Sequence, residues 1–189
     1  MFSIARVRVP AAAAAAALAA FTMQPGYAEE PVCVGQLGAV SIDNLHVPSG
    51  RSCRLDSTQI KGNIKVERNA TLVAGGVRVA GNIQAENARH VRVSSGSSVG
   101  GSIQIKQGGA ATISGVRVDG DIQFEANTRS LSATDNRVGG NVQVLQNDGG
   151  VGIAGNLIDG ELQCKENRPA PIGGGNRVRG NKEDPCSRL

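Results

Sequence analysis

Four cysteines, Cys33, Cys53, Cys164 and Cys186, are the residues best placed by type to do chemistry, and they fall two near each end of the chain. Structural zinc draws on closely paired ligands such as C-x-x-C, whereas the separations here are 20 and 22 residues within each pair. No metal site and no cofactor is therefore expected. An even cysteine count in an exported chain reads as disulfides instead. Three pairings are open. Cys33 with Cys53 and Cys164 with Cys186 is the favoured one, because it staples each terminus of an elongated body.

A second constellation is acidic. Asp119 and Asp121 flank Gly120, and Arg117 and Arg137 fall nearby in the repeat described below. Two carboxylates and a basic group can support glycoside hydrolysis or elimination. Against this, the chain has 3 Phe, 1 Tyr and no Trp, and Phe2, Phe21 and Tyr27 lie in a leader, so Phe124 alone remains and no aromatic platform for sugars or bases exists. No long loop interrupts the repeat to form a cleft. No residue is assigned a catalytic role, and a carbohydrate-active enzyme is kept as the alternative. His46 and His90 lie about two repeats apart without a Cys or Ser partner and read as surface residues. The many glycines introduce no helix, so none forms a phosphate-binding loop.

The leader is residues 1–28. Arg6 and Arg8 precede an apolar run from Val9 to Phe21, mostly alanine, and Gly26-Tyr27-Ala28 supplies small residues before a break. That is the layout of a secretory signal peptide, and the run is weaker than the roughly 20 apolar residues of a membrane span. A processed, secreted or periplasmic chain without a transmembrane anchor is expected. Removing Arg6 and Arg8 from 20 basic residues leaves 18 against 16 acidic ones, a net charge of +2. The charges are interspersed, which argues against nucleic acid as a partner.

The elements that must position these residues follow from an internal repeat. The phrase Gly62-Asn63-Ile64 returns at Gly81, Gly101, Gly120, Gly140, Gly160 and Gly180, at intervals of 19 or 20 residues, and a degenerate copy, Asp43-Asn44-Leu45, precedes it. Third positions read Leu45, Ile64, Ile83, Ile103, Ile122, Val142, Leu162, and fifth positions Val47, Val66, Ala85, Ile105, Phe124, Val144, Cys164. Alternation at period two marks a strand with one buried face. A further column, Ile60, Val79, Val99, Val118, Val138, Ile158, Val178, and a weaker mid-repeat stretch such as Ala111-Thr112-Ile113 supply two more short strands. The residues between are turn formers, Gly, Asn, Ser and Asp. No window shows helical periodicity. The fold class is all-β: a right-handed parallel β-helix of about twenty residues per coil, with seven full coils and a partial one. Residues 29–42 are assigned to an N-terminal cap, 43–179 to the coils and 180–189 to a polar C-terminal cap.

Two outward columns are candidate ligand sites. Between the two buried positions of the main strand lie His46, Lys65, Gln84, Gln104, Gln123, Gln143 and Gln163, an amide ladder that can meet a repetitive glycan or satisfy itself. Three residues before each glycine phrase lie Gln59, Arg78, Ser98, Arg117, Arg137, Leu157 and Arg177, whose guanidiniums suit anionic polymer or a solvated edge paired with Asp119, Asp121, Asp135 and Asp159.

On Asp43-Asn44-Leu45, the stretch Gly-Gly-Ser-Ile-Gln-Ile-Lys-Gln-Gly-Gly at 100–109 and Leu-Gln-Cys-Lys-Glu-Asn-Arg-Pro-Ala-Pro-Ile-Gly-Gly-Gly-Asn at 162–176, the chain resembles an uncharacterised family of bacterial exported repeat proteins. More distantly the coil is similar to those of bactofilins and of pectin-lyase-like solenoids. The resemblance implies the repeat and supplies no activity. Together the observations predict a monomeric, non-catalytic structural or binding module whose partner is an envelope or extracellular polysaccharide. A self-assembling polymer is the other alternative.

Overall fold

The structure is a computed structural model and describes residues 31–94, 96–183 and 185–189. The expected leader, residues 1–28, lies outside the described residues. From Gly35 onward the chain winds through three parallel sheets in strict rotation, and the described residues contain no helix. Sheet A holds seven strands, from Leu45–Val47 to Leu162–Lys165. Sheet B holds eight, from Gly35–Leu37 to Ile172–Gly174, and sheet C eight, from Ser41–Ile42 to Arg177–Val178. Seven complete turns result, and at the ~4.8 Å strand spacing they make a body about 34 Å long.

Each predicted column is a physical stack. Leu45, Ile64, Ile83, Ile103, Ile122, Val142 and Leu162 are successive partners in sheet A, each at most 1% exposed. Val47 to Cys164 form the second buried column of that sheet, with Phe124 fully enclosed. The sheet C column runs as expected and begins one coil earlier, at Ile42.

Two expectations need correction. The mid-repeat stretch is a full wall: sheet B has strands of up to five residues, such as His90–Ser94, and two buried columns, Cys53 to Val151 and Leu55 to Ile153. Its signal is weak because Ala74, Ala111 and Ala133 face inward while Ser, Thr and Gly face outward, so hydropathy barely alternates. The coils also start inside the stretch assigned to a cap, since Gly35–Leu37 pairs with Ser52–Asp56 and Ser41–Ile42 with Gln59–Ile60.

The corners explain the phrase itself. Between sheets C and A, each glycine N–H donates to the carbonyl of the glycine one coil below at 2.9–3.0 Å from Gly81 to Gly180. A Cβ on Gly81, Gly101, Gly140 or Gly160 would sit 2.7–3.0 Å from that same carbonyl oxygen. Glycine is required there by close approach. The next residue forms a rail: Asn44 Oδ1 accepts the Asn63 amide, Asn63 Oδ1 that of Asn82 and Asn82 Oδ1 that of Ser102, each at 2.8 Å. The rail continues through Ser102 Oγ, Asp121 Oδ1 and Asn141 Oδ1 to the amide of Glu161.

At the other two corners the chain bends through one residue in the left-handed region. Between A and B these include Asn87 (φ 55°), Gln107 (52°) and Ala126 (54°); between B and C they include Gly76 (62°), Gly155 (68°) and Asp135 (55°). In the later coils the following residue is a buried Asn. Asn147 donates from Nδ2 to Phe124 O at 3.0 Å and to Asn167 Oδ1 at 2.9 Å, while its Oδ1 accepts from Asn127 N and Nδ2, both at 3.0 Å. Asn136, Asn156 and Asn176 repeat this at the B–C corner. Earlier coils hold Ala70 and Ala88, or Val77 and Val116, at the same places. All four hydrogen-bonding positions of Asn147 are filled, which is what makes a buried amide tolerable.

Both cysteine pairs close as expected, Cys33 with Cys53 and Cys164 with Cys186, each with Cα atoms 5.6 Å apart. They hold covers over the two edges of sheet A. Cys33 N donates to His46 O at 2.8 Å and His46 N to Pro31 O at 2.9 Å; at the far end Leu162 N donates to Asn181 O and Glu183 N to Leu162 O, both at 3.0 Å. Lys182 Nζ reaches the Leu189 carbonyl, and the Leu189 side chain is buried. Sheets B and C have no such cover among the described residues, and Val32, Val34, Val40 and Ile172 are exposed at the two ends.

Replacing Asn147 with Ala removes the acceptor of the Asn127 amide and one donor to the Phe124 carbonyl inside the body. Each lost partner costs about 1–3 kcal/mol, so Asn147→Ala should lower the denaturation midpoint sharply. Thr112→Ala, on the outer face of sheet B, should shift stability by less than about 0.5 kcal/mol. Equal melting of the two variants by circular dichroism would remove the structural role of the amide track.

Candidate ligand-binding faces

The outward face of sheet A places Gln84, Gln104, Gln123, Gln143 and Gln163 on consecutive coils in register. The ladder is broken. Gln84 Nε2 donates to Gln104 Oε1 at 3.4 Å and Gln143 Nε2 to Gln163 Oε1 at 2.9 Å, but Gln123 Nε2 turns to Glu125 Oε2 at 3.3 Å. Gln163 also donates to Glu161 Oε2 at 2.8 Å. Part of this row therefore keeps amide capacity free for an external partner, which a closed ladder would not.

The first two members of the row, His46 and Lys65, gather around Glu67. His46 Nε2 lies 2.9 Å from Glu67 Oε1 and Lys65 Nζ 3.8 Å from it, while the Ser49 hydroxyl donates to Oε2 at 2.8 Å. The Ser49 bond, with His46 assisting and desolvation opposing, holds the Glu67 carboxyl below its ordinary range.

The sheet C column brings Arg78, Arg117, Arg137 and Arg177 to one face, interrupted by Ser98 and Leu157. Arg117 Nε sits 3.0 Å from Asp119 Oδ1, two residues on in the same coil, and Arg179 Nε 3.3 Å from Asp159 Oδ1. Arg78, Arg137 and Arg177 form no ion pair among the described residues. The acidic constellation does not assemble: Asp119 is spent on Arg117, and Asp121 is a rung of the amide rail, accepting from Asn141 N. No group of three or more His, Cys, Asp or Glu converges among the described residues.

His46 and His90 lie on different sheets, A and B. Burial, and secondarily the charge of Arg92, hold the His90 imidazole below its ordinary value of 6.5. The unfolded chain therefore takes up that proton first as pH falls, and stability is lost on the acid side of 6.5. The Glu67 contribution has its own window: present above 4.5, it disappears as pH drops through the lower folded-state value. The melting temperature should fall from about pH 7.5 to about pH 5.5, and His90→Gln should flatten that window. Glu67→Gln should change only the more acidic limb. An unaltered slope in His90→Gln would exclude His90 as its source.

The site that the columns did not reveal is a concavity at the corner between sheets A and B, where Arg68, Arg89 and Arg129 converge. These arginines stand at different offsets from the glycine phrase, six residues after Gly62, eight after Gly81 and nine after Gly120. Charge clustering without periodicity is the only signal that sequence offers there. No family model matches the chain, and no curated protein or solved structure does. The two disulfides favour an oxidising extracellular or periplasmic environment.

Proposed function

We propose that the chain is a non-catalytic structural or binding module of the bacterial envelope or its surroundings, a stiff rod that sets regularly spaced side chains against a repetitive polymer. One observation carries this reading: Gln84, Gln104, Gln123, Gln143 and Gln163 repeat at coil spacing with their amides only partly engaged by one another. A polymer whose units recur along an extended strand meets such a row in many weak contacts, and multivalency supplies the affinity that no single contact has. The resemblance to bacterial exported repeat proteins and the oxidising compartment favoured by the disulfides support the location.

A second reading, head-to-tail self-association, has its own support. The open edges carry Val34 beside the first strand of sheet B and Val40 beside that of sheet C at one end, and Ile172 of sheet B, 71% exposed, at the other. Contact between two different ends does not close on itself and propagates, and an uncovered strand edge is a template for pairing.

The first reading predicts that Gln104→Ala with Gln123→Ala weakens retention on envelope polymer several-fold while melting is unchanged; equal retention would remove it. The second predicts a sedimentation coefficient that climbs with protein concentration and reverts to the monomer value in Ile172→Lys. A constant monomer coefficient over a wide concentration range would sink it.

A further inference from the structure

We infer that the corner between sheets A and B is a binding site for an acidic polysaccharide, with Arg68, Arg89 and Arg129 taking its carboxylates. The site is a shallow groove of about 480 Å³ lined by these three arginines and by no Asp or Glu. None of the three guanidiniums has an ion pair or hydrogen-bond partner among the described residues, in contrast to Arg117 on sheet C, which is held by Asp119. The adjoining groove is lined by Glu67, already engaged by Ser49 and His46, and by Glu86, and Asp148 follows one coil beyond Thr128. Three cations without an ion-pair partner among the described residues thus line one concavity, in a chain whose charges are otherwise interspersed.

The floor of the groove is bare for a steric reason. Gly108 and Gly109 lie in the coil between those of Arg89 and Arg129, and a Cβ on Gly109 would overlap the Arg89 carbonyl. Backbone without side chains thus lies between Arg89 and Arg129, which stand two coils apart, about 10 Å at the ordinary strand spacing. That separation suits successive or alternate charges of one extended chain better than a single small anion. Along the wall run Asn69, Asn87 and Gln107, the corner residues in left-handed conformation, whose side-chain amides are not used by any neighbour. An amide both donates and accepts. It suits hydroxyl groups, so the lining as a whole fits a chain that alternates hydroxyls with carboxylates. Guanidinium forks match carboxylate geometry two bonds at a time, and charge can hold such a ligand where aromatic stacking is unavailable.

This inference does not rest on the sheet A row, and one titration separates the two. Calorimetric binding of a tetrameric uronate to the mature protein at low salt should be saturable and should weaken as salt rises. A neutral tetrasaccharide of the same length should bind at least about tenfold more weakly. Arg89→Gln with Arg129→Gln should lose about tenfold in uronate affinity with unchanged melting, whereas Arg78→Gln with Arg137→Gln, which removes the same charge from sheet C, should stay within about twofold. Gln104→Ala with Gln123→Ala should leave this binding intact. The inference is overturned by absence of saturable binding, by equal loss in the two arginine pairs, or by inorganic phosphate binding as tightly as the uronate.

Discussion

Every coil of this molecule depends on the coil beneath it. A single turn of about twenty residues buries too few side chains to offset the entropy of ordering them, and it has no hydrogen-bond partner for its own edge. Stacking in register solves both problems at once, because each backbone amide meets a carbonyl one turn away and each apolar side chain is covered above and below. The register leaves no freedom elsewhere. Gly81 to Gly180 are glycines because two backbones touch at that corner, and Asn44, Asn63 and Asn82 carry side-chain oxygens because an amide of the next coil arrives at each of them.

The same constraint shapes the surface. Outward positions are aligned as strictly as inward ones, so whatever side chain a coil presents is repeated or varied at fixed spacing, and function is written by substitution within a column. Sheet A uses that freedom for amides and sheet C for cations partly neutralised by their own coil. The A–B corner departs from column order. There arginines from three coils, standing at unequal offsets, line one concavity.

What the sequence made legible follows the strength of side-chain contrast. Ile, Val and Leu against Gln and Lys showed sheet A plainly, and its buried columns are the ones expected. Sheet B was under-read because alanine faces in and serine or threonine faces out at Ala111, Thr112, Ala133 and Thr134. The start of the coils was missed because Gly35–Leu37 lacks the phrase entirely. Asn127, Asn136, Asn147 and Asn156 read as turn formers, since an asparagine in a loop and one buried in a corner look alike until the side-chain hydrogen bonds are known. The constellation of Asp119 and Asp121 illustrates the converse, where plausible reactive groups turn out to serve the scaffold. The arginine cluster has no column to show it, because Arg68, Arg89 and Arg129 occupy different offsets in their coils.

The buried asparagines occupy only the later coils, and this divides the rod into halves of different temperament. Corners built from Ala70 and Ala88 rely on exclusion of water, an interaction that fades on cooling, whereas those at Val77 and Val116 also pass their amides to Ser97 Oγ and Asn136 Oδ1. Corners built from Asn147, Asn156 and their neighbours rely on amide pairing, which does not fade in that way. Chilling therefore withdraws more support from the A–B corners at Ala70 and Ala88 than from those at Asn127 and Asn147.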